Sequence, residues 1–299
     1  MKFHKTRKGE NTMAESKNEM DLNFDTADFD DLDWGDDEVK EVQGQEIEEE
    51  DFLDTMEPSR KSMTIFFLID TSGSMSGTKI GTVNGTMEEL LPELIGIGGA
   101  ETDISIAVMK FDSKCEWITT SPVRVEEYQQ WPRLSAGGTT VMGEAFKQLS
   151  AKLSRSAFMN KPSLSYAPVI FVMTDGSPTD DWKTGLNTLK KNNWYKYGLK
   201  IAVGIGSAPN MSVLREFTGC EELAVQAHGA EELKNLITLL AVTSSQIGSK
   251  SMSLTDEGSE KTEEDVFKDK ERRLVEEVKK ATDIMGGADS SDVSFDEGW

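Results

Sequence analysis

The sequence predicts an α/β fold: a doubly wound, mostly parallel sheet with helices on both faces, one antiparallel edge strand and disordered acidic tails. Three observations predict it. Apolar runs too continuous for a one-sided strand recur at Met63–Ile69, Pro168–Thr174 and Leu199–Ile205, as expected of central parallel strands covered on both faces. Segments with apolar residues three and four apart lie between them, the spacing of half-buried helices. The acidity lies almost wholly outside this block: residues 10–57 carry a net −18 and 246–299 a net −7, against −1 for residues 58–245.

Element by element, Met63–Ile69 is the first strand. Lys79–Ile95 follows as a helix through Ile80, Val83, Met87, Leu90, Leu91 and Leu94, stopped by Gly96, Gly98 and Gly99. Ile104–Phe111 is a strand, and Cys115–Thr119 its hairpin partner. Helical spacing returns over Val141–Leu153 through Ala145 and Leu149. Pro168 suits the first position of the strand that ends at Thr174. Asp180 or Asp181 caps a helix expected to run to about Asn193. After the strand Leu199–Ile205 come a short helix, Met211–Phe217, a short strand, Glu222–Ala227, and a last helix, Glu231–Val242. About 185 residues of such alternation suffice for a sizeable core.

The expected organisation is an acidic N-terminal arm over 1–60, the α/β domain over 61–245, a linker over 246–263, and a short helix with an acidic tail over 264–299. The arm holds 20 acidic and 2 basic residues between 10 and 57; like charges repel and few apolar groups oppose the ordering entropy, so it reads as disordered. Phe24, Phe29, Trp34 and Phe52 stand singly among the acids, either as docking anchors or as parts of a solubilising tail. The C-terminal segment Asp289–Trp299 repeats that mixture.

Composition excludes several classes. The acidic balance opposes nucleic-acid binding, which needs cations to neutralise phosphates. No run approaches 18 apolar residues, so no membrane span is expected, and the basic start lacks the apolar region of a secretory signal. Cys115 and Cys220 form no close-spaced metal or redox motif. A cytoplasmic location is expected.

The chemistry concentrates after the first strand. Asp70, Ser72 and Ser74 alternate in Asp70-Thr71-Ser72-Gly73-Ser74, and such a loop at a strand's carboxyl end can wrap one hard cation. Two further pieces can complete the shell: Gly137-Gly138-Thr139-Thr140, and Asp175 at the end of Val169–Thr174. The residues leave open whether Thr139 or Thr140 faces the ion; Thr139 is the first choice. Oxygen ligands suit Mg²⁺ or Mn²⁺, and the lack of Cys or His disfavours zinc. With so few protein ligands, an octahedral ion keeps an exchangeable position for a partner's Asp or Glu. An aspartyl phosphatase would carry a second Asp where Ser72 stands, and no P-loop sequence is present, so no enzyme is expected. A metal-free assembly protein, with the hydroxyls serving only as caps, is the alternative.

Asp70-Thr71-Ser72-Gly73-Ser74, Thr139 and Asp175 together resemble the metal-ion-dependent adhesion site (MIDAS) of the von Willebrand factor type A fold, over residues 61–245. Ala136–Ala145 and Val169–Asp180 are most similar to bacterial intracellular members, among them the tellurium-resistance-associated Y-type (TerY-like) proteins. The resemblance implies a Rossmann-like domain that binds Mg²⁺ and captures an acidic group of a protein partner. It implies direct ligation by Ser72, Ser74 and Thr139, with Asp70 and Asp175 acting directly or through water. The subgroup implies a stress-response setting.

Overall fold

The computed structural model describes residues 60–97, 99, 102–128, 130–249 and 262–286. The N-terminal arm, most of the expected linker and the acidic C-terminal tail fall outside the described residues.

The three apolar runs become the middle of a seven-stranded sheet. In chain order its strands are β1 (Lys61–Asp70), β2 (Thr102–Phe111), β3 (Cys115–Trp117), β4 (Val123–Arg124), β5 (Val169–Thr174), β6 (Leu199–Ile205) and β7 (Ala224–Ala227). The spatial order is β3-β2-β1-β5-β6-β7, with β4 also paired to β2. All pairs are parallel except β2 with β3 and with β4. The expected antiparallel edge therefore comes in two short pieces along one strand.

Strand alternation sends neighbouring residues to opposite faces. Met63, Ile65, Phe67 and Ile69 of β1 enter one buried cluster, and Phe66 and Leu68 enter the other. Phe67 stands beside Phe171 of β5, their rings 5.3 Å apart. On the first face lie α1 (Thr78–Leu94) and α6 (Ala230–Ser249), through Val83, Met87, Leu236 and Leu240. On the second lie α2 (Met142–Lys152), α3 (Trp182–Leu189) and α5 (Met211–Thr218), through Phe146, Leu186 and Phe217. Each helix turns its apolar stripe inward, so the sheet is covered on both sides.

Two helices depart from the sequence reading. The helix expected from Asp180 or Asp181 to about Asn193 ends at Leu189, and Asn192 starts a separate helix, α4 (Asn193–Tyr197), its side chain accepting from the Trp194 and Tyr195 amides. The Asn192 amide nitrogen also donates to the Ser150 and Leu153 carbonyls, which fixes the break. At the other end, α6 runs to Ser249, past the expected domain boundary at residue 245. Ser244 and Ser245 are fully buried and return their hydroxyls to the Ala241 carbonyl, at 3.2 and 2.6 Å. Small residues here let the helix approach the sheet, and a Cβ on Gly248 would meet the Met63 sulfur at 2.5 Å. A linker-like composition is thus a close-packing helix end.

The final helix, α7 (Glu263–Gly286), agrees with the expected one to within a residue. It is not a free appendage: Leu274 and Val278 are buried in the first cluster. The Lys270 ammonium also donates to the Gly248 carbonyl at 2.9 Å.

Candidate metal centre

Strand β1 lies between β2 and β5, so the chain departs in opposite directions on either side of it. A crevice opens at the carboxyl ends of strands at such a reversal. The loops after β1 and β5 meet there, and the segment before α2 joins them through backbone hydrogen bonds. Thr71 N–H donates to the Phe111 carbonyl at 2.8 Å, Gly137 N–H to the Thr71 carbonyl at 2.8 Å, and Gly73 N–H to the Gly138 carbonyl at 3.1 Å. Gly138 has φ +81°, and a Cβ there would stand 2.5 Å from the Ser113 hydroxyl. Only glycine fits this turn without strain.

Asp70 is fully buried. Its Oδ1 accepts from the Ser72 amide at 2.7 Å and its Oδ2 from the Thr174 hydroxyl at 2.5 Å. Burial pushes its carboxyl up to about 6, the two hydrogen-bond donors pull it back, and the nearby Asp175 charge raises it slightly. The Ser72 and Ser74 hydroxyls lie 3.2 Å apart, and Ser74 donates to Asp175 Oδ1 at 2.7 Å. Asp175 Oδ2 accepts from the Lys79 ammonium at 2.8 Å. Both side chains of this ion pair are largely buried, Asp175 completely.

Four of the five expected ligands thus come together: Ser72, Ser74 and Asp175 share one run of hydrogen-bonded oxygens, and Asp70 is joined to it through the Ser72 amide. Thr139 lies beside them on the loop fastened to Gly73, but its hydroxyl donates to Ser113 Oγ at 3.3 Å rather than to the set. Thr140 is buried, and its backbone pairs with Thr179 in both directions, Thr140 N–H to the hydroxyl at 3.2 Å and Thr179 N–H to the carbonyl at 2.8 Å. Thr139 therefore holds the exposed hydroxyl of the two.

Three participants escaped the sequence reading. Thr174 closes a wholly apolar strand and reads as strand alone. Lys79 reads as the start of a helix. Asp180 and Asp181 read as alternative caps for the helix after them, and Asp181 fills that role, accepting from Thr184 N–H at 3.2 Å. Asp180 instead accepts from the Gly143 and Glu144 amides, both at 2.9 Å, and so caps α2 from a distant loop. The one available signal was a pair of adjacent acids where a single helix start needs only one.

The donor chemistry fits a hard divalent ion. Two carboxylates and three hydroxyls offer the oxygen donors such an ion takes, and both acids are buried, Asp70 with no cation beside it among the described residues and Asp175 with Lys79. Among the described residues no group of three or more His, Cys, Asp or Glu side chains forms a denser cage.

The family model described as von Willebrand factor type A domain matches residues 64–239. No curated protein matches the chain. Among solved structures, a von Willebrand factor type A protein from Catenulispora acidiphila is 20% identical, with 62% of this chain and 43% of that one covered and a TM-score of 0.49. The pilus adhesin SpaC from Lactobacillus rhamnosus GG, in its open conformation, is 15% identical, with coverages of 64% and 31% and a TM-score of 0.50. Proximal thread matrix protein 1 from the mussel byssus, with a zinc-occupied MIDAS motif, is 16% identical, with coverages of 62% and 46% and a TM-score of 0.46. The chain spans less than half the length of each, and at 15% identity the adhesin match is a likeness of fold alone.

Proposed function

Because the chain belongs to the von Willebrand factor type A domain family, we propose that it is a divalent-metal-dependent protein-binding module that captures an Asp or Glu side chain of a partner. One observation carries this reading: from loops a hundred residues apart, the Ser72 and Ser74 hydroxyls and Asp175 form one hydrogen-bonded set at the sheet's switch point, and Asp70 joins it through the Ser72 amide. Ser72, Ser74 and Thr139 would hold Mg²⁺ or Mn²⁺ directly, and Asp70 and Asp175 directly or through water. When bound, the ion supplies a Lewis-acidic point for an outside carboxylate. With Lys79 already on Asp175, the side chains at the site retain one net negative charge, too little to neutralise a divalent cation. An acidic side chain is the complementary partner.

The reading is non-enzymatic. Among the described residues the one histidine, His228, lies between β7 and α6, where its backbone N–H donates to Glu232 at 2.7 Å. No described helix is long and apolar enough to cross a membrane. The likeness of Ala136–Ala145 and Val169–Asp180 to bacterial intracellular members supports a cytoplasmic, TerY-like stress-response setting. Affinity capture in Mg²⁺ against chelator, with mass-spectrometric identification, tests the partner; recovery of the same proteins under both conditions overturns metal-dependent capture.

Calorimetric titration with Mg²⁺ separates the two threonines. Thr139→Ala is expected to weaken binding by about tenfold or more, since a neutral oxygen that would hold the ion directly is removed and even an outer partner costs about tenfold, with little change in melting temperature because the side chain is exposed. Thr140→Ala is expected to keep the affinity and lose about 1 kcal/mol of stability. The reverse pattern would move the ligand to Thr140.

The Lys79–Asp175 pair favours a second reading, a metal-free assembly protein in which the ammonium is the site's only cation. Lys79→Met decides between them. On the metal reading, removing a competing charge raises Mg²⁺ affinity by roughly tenfold, and added Mg²⁺ restores any lost melting temperature. On the metal-free reading the variant melts lower and Mg²⁺ has no effect.

A further inference from the structure

Away from the metal centre, a cavity of about 930 Å³ opens where α4, the segment before β5 and the first turns of α7 meet. Its size lies near the top of the range for ligand pockets. Tyr166, Trp194, Tyr197 and Phe267 supply aromatic walls, and Arg155, Lys191 and Lys270 supply charge. No acid lines it among the described residues, in a chain whose net charge is −22. Lys270 is committed to the Gly248 carbonyl, and its ammonium lies 5.4 Å from the Tyr166 ring centre. Arg155 and Lys191, in contrast, have no ion-pair partner among the described residues. A basic pocket with aromatic walls calls for a ligand that is both anionic and aromatic.

We propose that this pocket is the docking site for the chain's own segment Asp289–Trp299, with Phe295 and Trp299 entering between the aromatic walls and Asp296 and Glu297 meeting Arg155 and Lys191. Charge complementarity is the first support. Reach is the second. Helix α7 lines the pocket near its start, through Val266, Phe267 and Lys270, and continues to Gly286. At 1.5 Å per residue the return from Gly286 to Phe267 is about 28 Å. Extended chain covers about 30 Å between Gly286 and Phe295 and about 43 Å to Trp299. The segment is long enough to fold back along its own helix, and a short tether keeps its effective concentration in the millimolar range.

Carbodiimide coupling of the full chain, which joins lysine amines to carboxylates in contact, tests this. Products are mapped by mass spectrometry in the monomeric fraction. The expected result is coupling of Lys191 to Asp296 or Glu297. Its yield should fall at least fivefold in the double variant Phe295→Ser/Trp299→Ser, which keeps every amine and carboxylate. Coupling of Lys191 only to Asp256 or Glu257, to acids of the N-terminal arm or to a second copy overturns the proposal, as does the absence of coupling. An unchanged yield in the double variant overturns the anchoring role of the aromatics.

Discussion

Replacing Asp70 by asparagine is expected to abolish tight Mg²⁺ binding while making the metal-free protein more stable at neutral pH. The carboxyl is fully buried and titrates near 6, above the 3.8 of an unperturbed aspartate. The folded state therefore holds this proton more tightly than the unfolded chain does. Its contribution is fully present below pH 3.8 and is lost as pH rises through 6, so at pH 7 the ionised group costs about 3 kcal/mol. Asparagine carries no charge to desolvate, keeps the acceptor for the Ser72 amide and offers the Thr174 hydroxyl a donor in place of an acceptor. A melting-temperature gain of several degrees at pH 7, vanishing at pH 4, is the expected signature. Calorimetry should show an affinity loss of roughly 100-fold or more, since a negative charge beside the cation is removed, whether it meets the ion directly or through water. In the wild type, affinity should fall about tenfold per pH unit below 6 as the proton competes. A variant that is less stable at pH 7 with unchanged metal affinity would remove Asp70 from the site.

The largest loss of stability is expected from a residue with no role in binding. Helices α2 and α3 cross at Gly143 and Gly185, where a Cβ on Gly185 would strike the Gly143 carbonyl oxygen and one on Gly143 would stand 2.6 Å from the Asp181 carbonyl oxygen. Backbone faces backbone, so no flexible side chain can give way. Gly185→Val forces the helices apart, at a cost of about 3 kcal/mol or more. In a domain of this size that lowers the melting temperature by about 9 °C. The separation also draws Asp181 and its neighbour Asp180 away from α2, so the α2 cap loosens and with it the segment that carries Thr139. A reduced Mg²⁺ affinity should accompany the thermal shift, whereas a variant that melts like the wild type would show that the helices repack at no cost.

What was legible in the sequence follows from how local each signal is. The central strands were visible because burial on both faces leaves no polar residue inside Phe66–Ile69, Ile170–Met173 or Ile201–Val203. Asp70, Ser72 and Ser74 were visible because they fall within five residues. The partners of Asp70 and Asp175 were not, since a hydrogen bond from Thr174 or Lys79 depends on the parallel register of β1 with β5 and on where α1 begins. The extension of α6 was hidden for a different reason: Ser244, Ser245 and Gly248 have the composition of a linker, and only the neighbouring sheet makes small side chains an advantage. The break after Leu189 rests on an asparagine reaching carbonyls of α2, a contact about forty residues away in the chain.

The pairing of Asp70 with Thr174 has a consequence during synthesis. The two residues sit at the ends of β1 and β5, held at the same level by a register that sets Ile69 opposite Met173. A nascent chain emerging from a ribosome displays the Asp70 loop a hundred residues before the strand that completes its surroundings. Until that strand inserts next to β1, Ser74 has no Asp175 to bond and the Asp70 carboxylate has no Thr174. A centre that needs both loops is therefore complete only in chains whose sheet is already assembled, and half-made copies lack it.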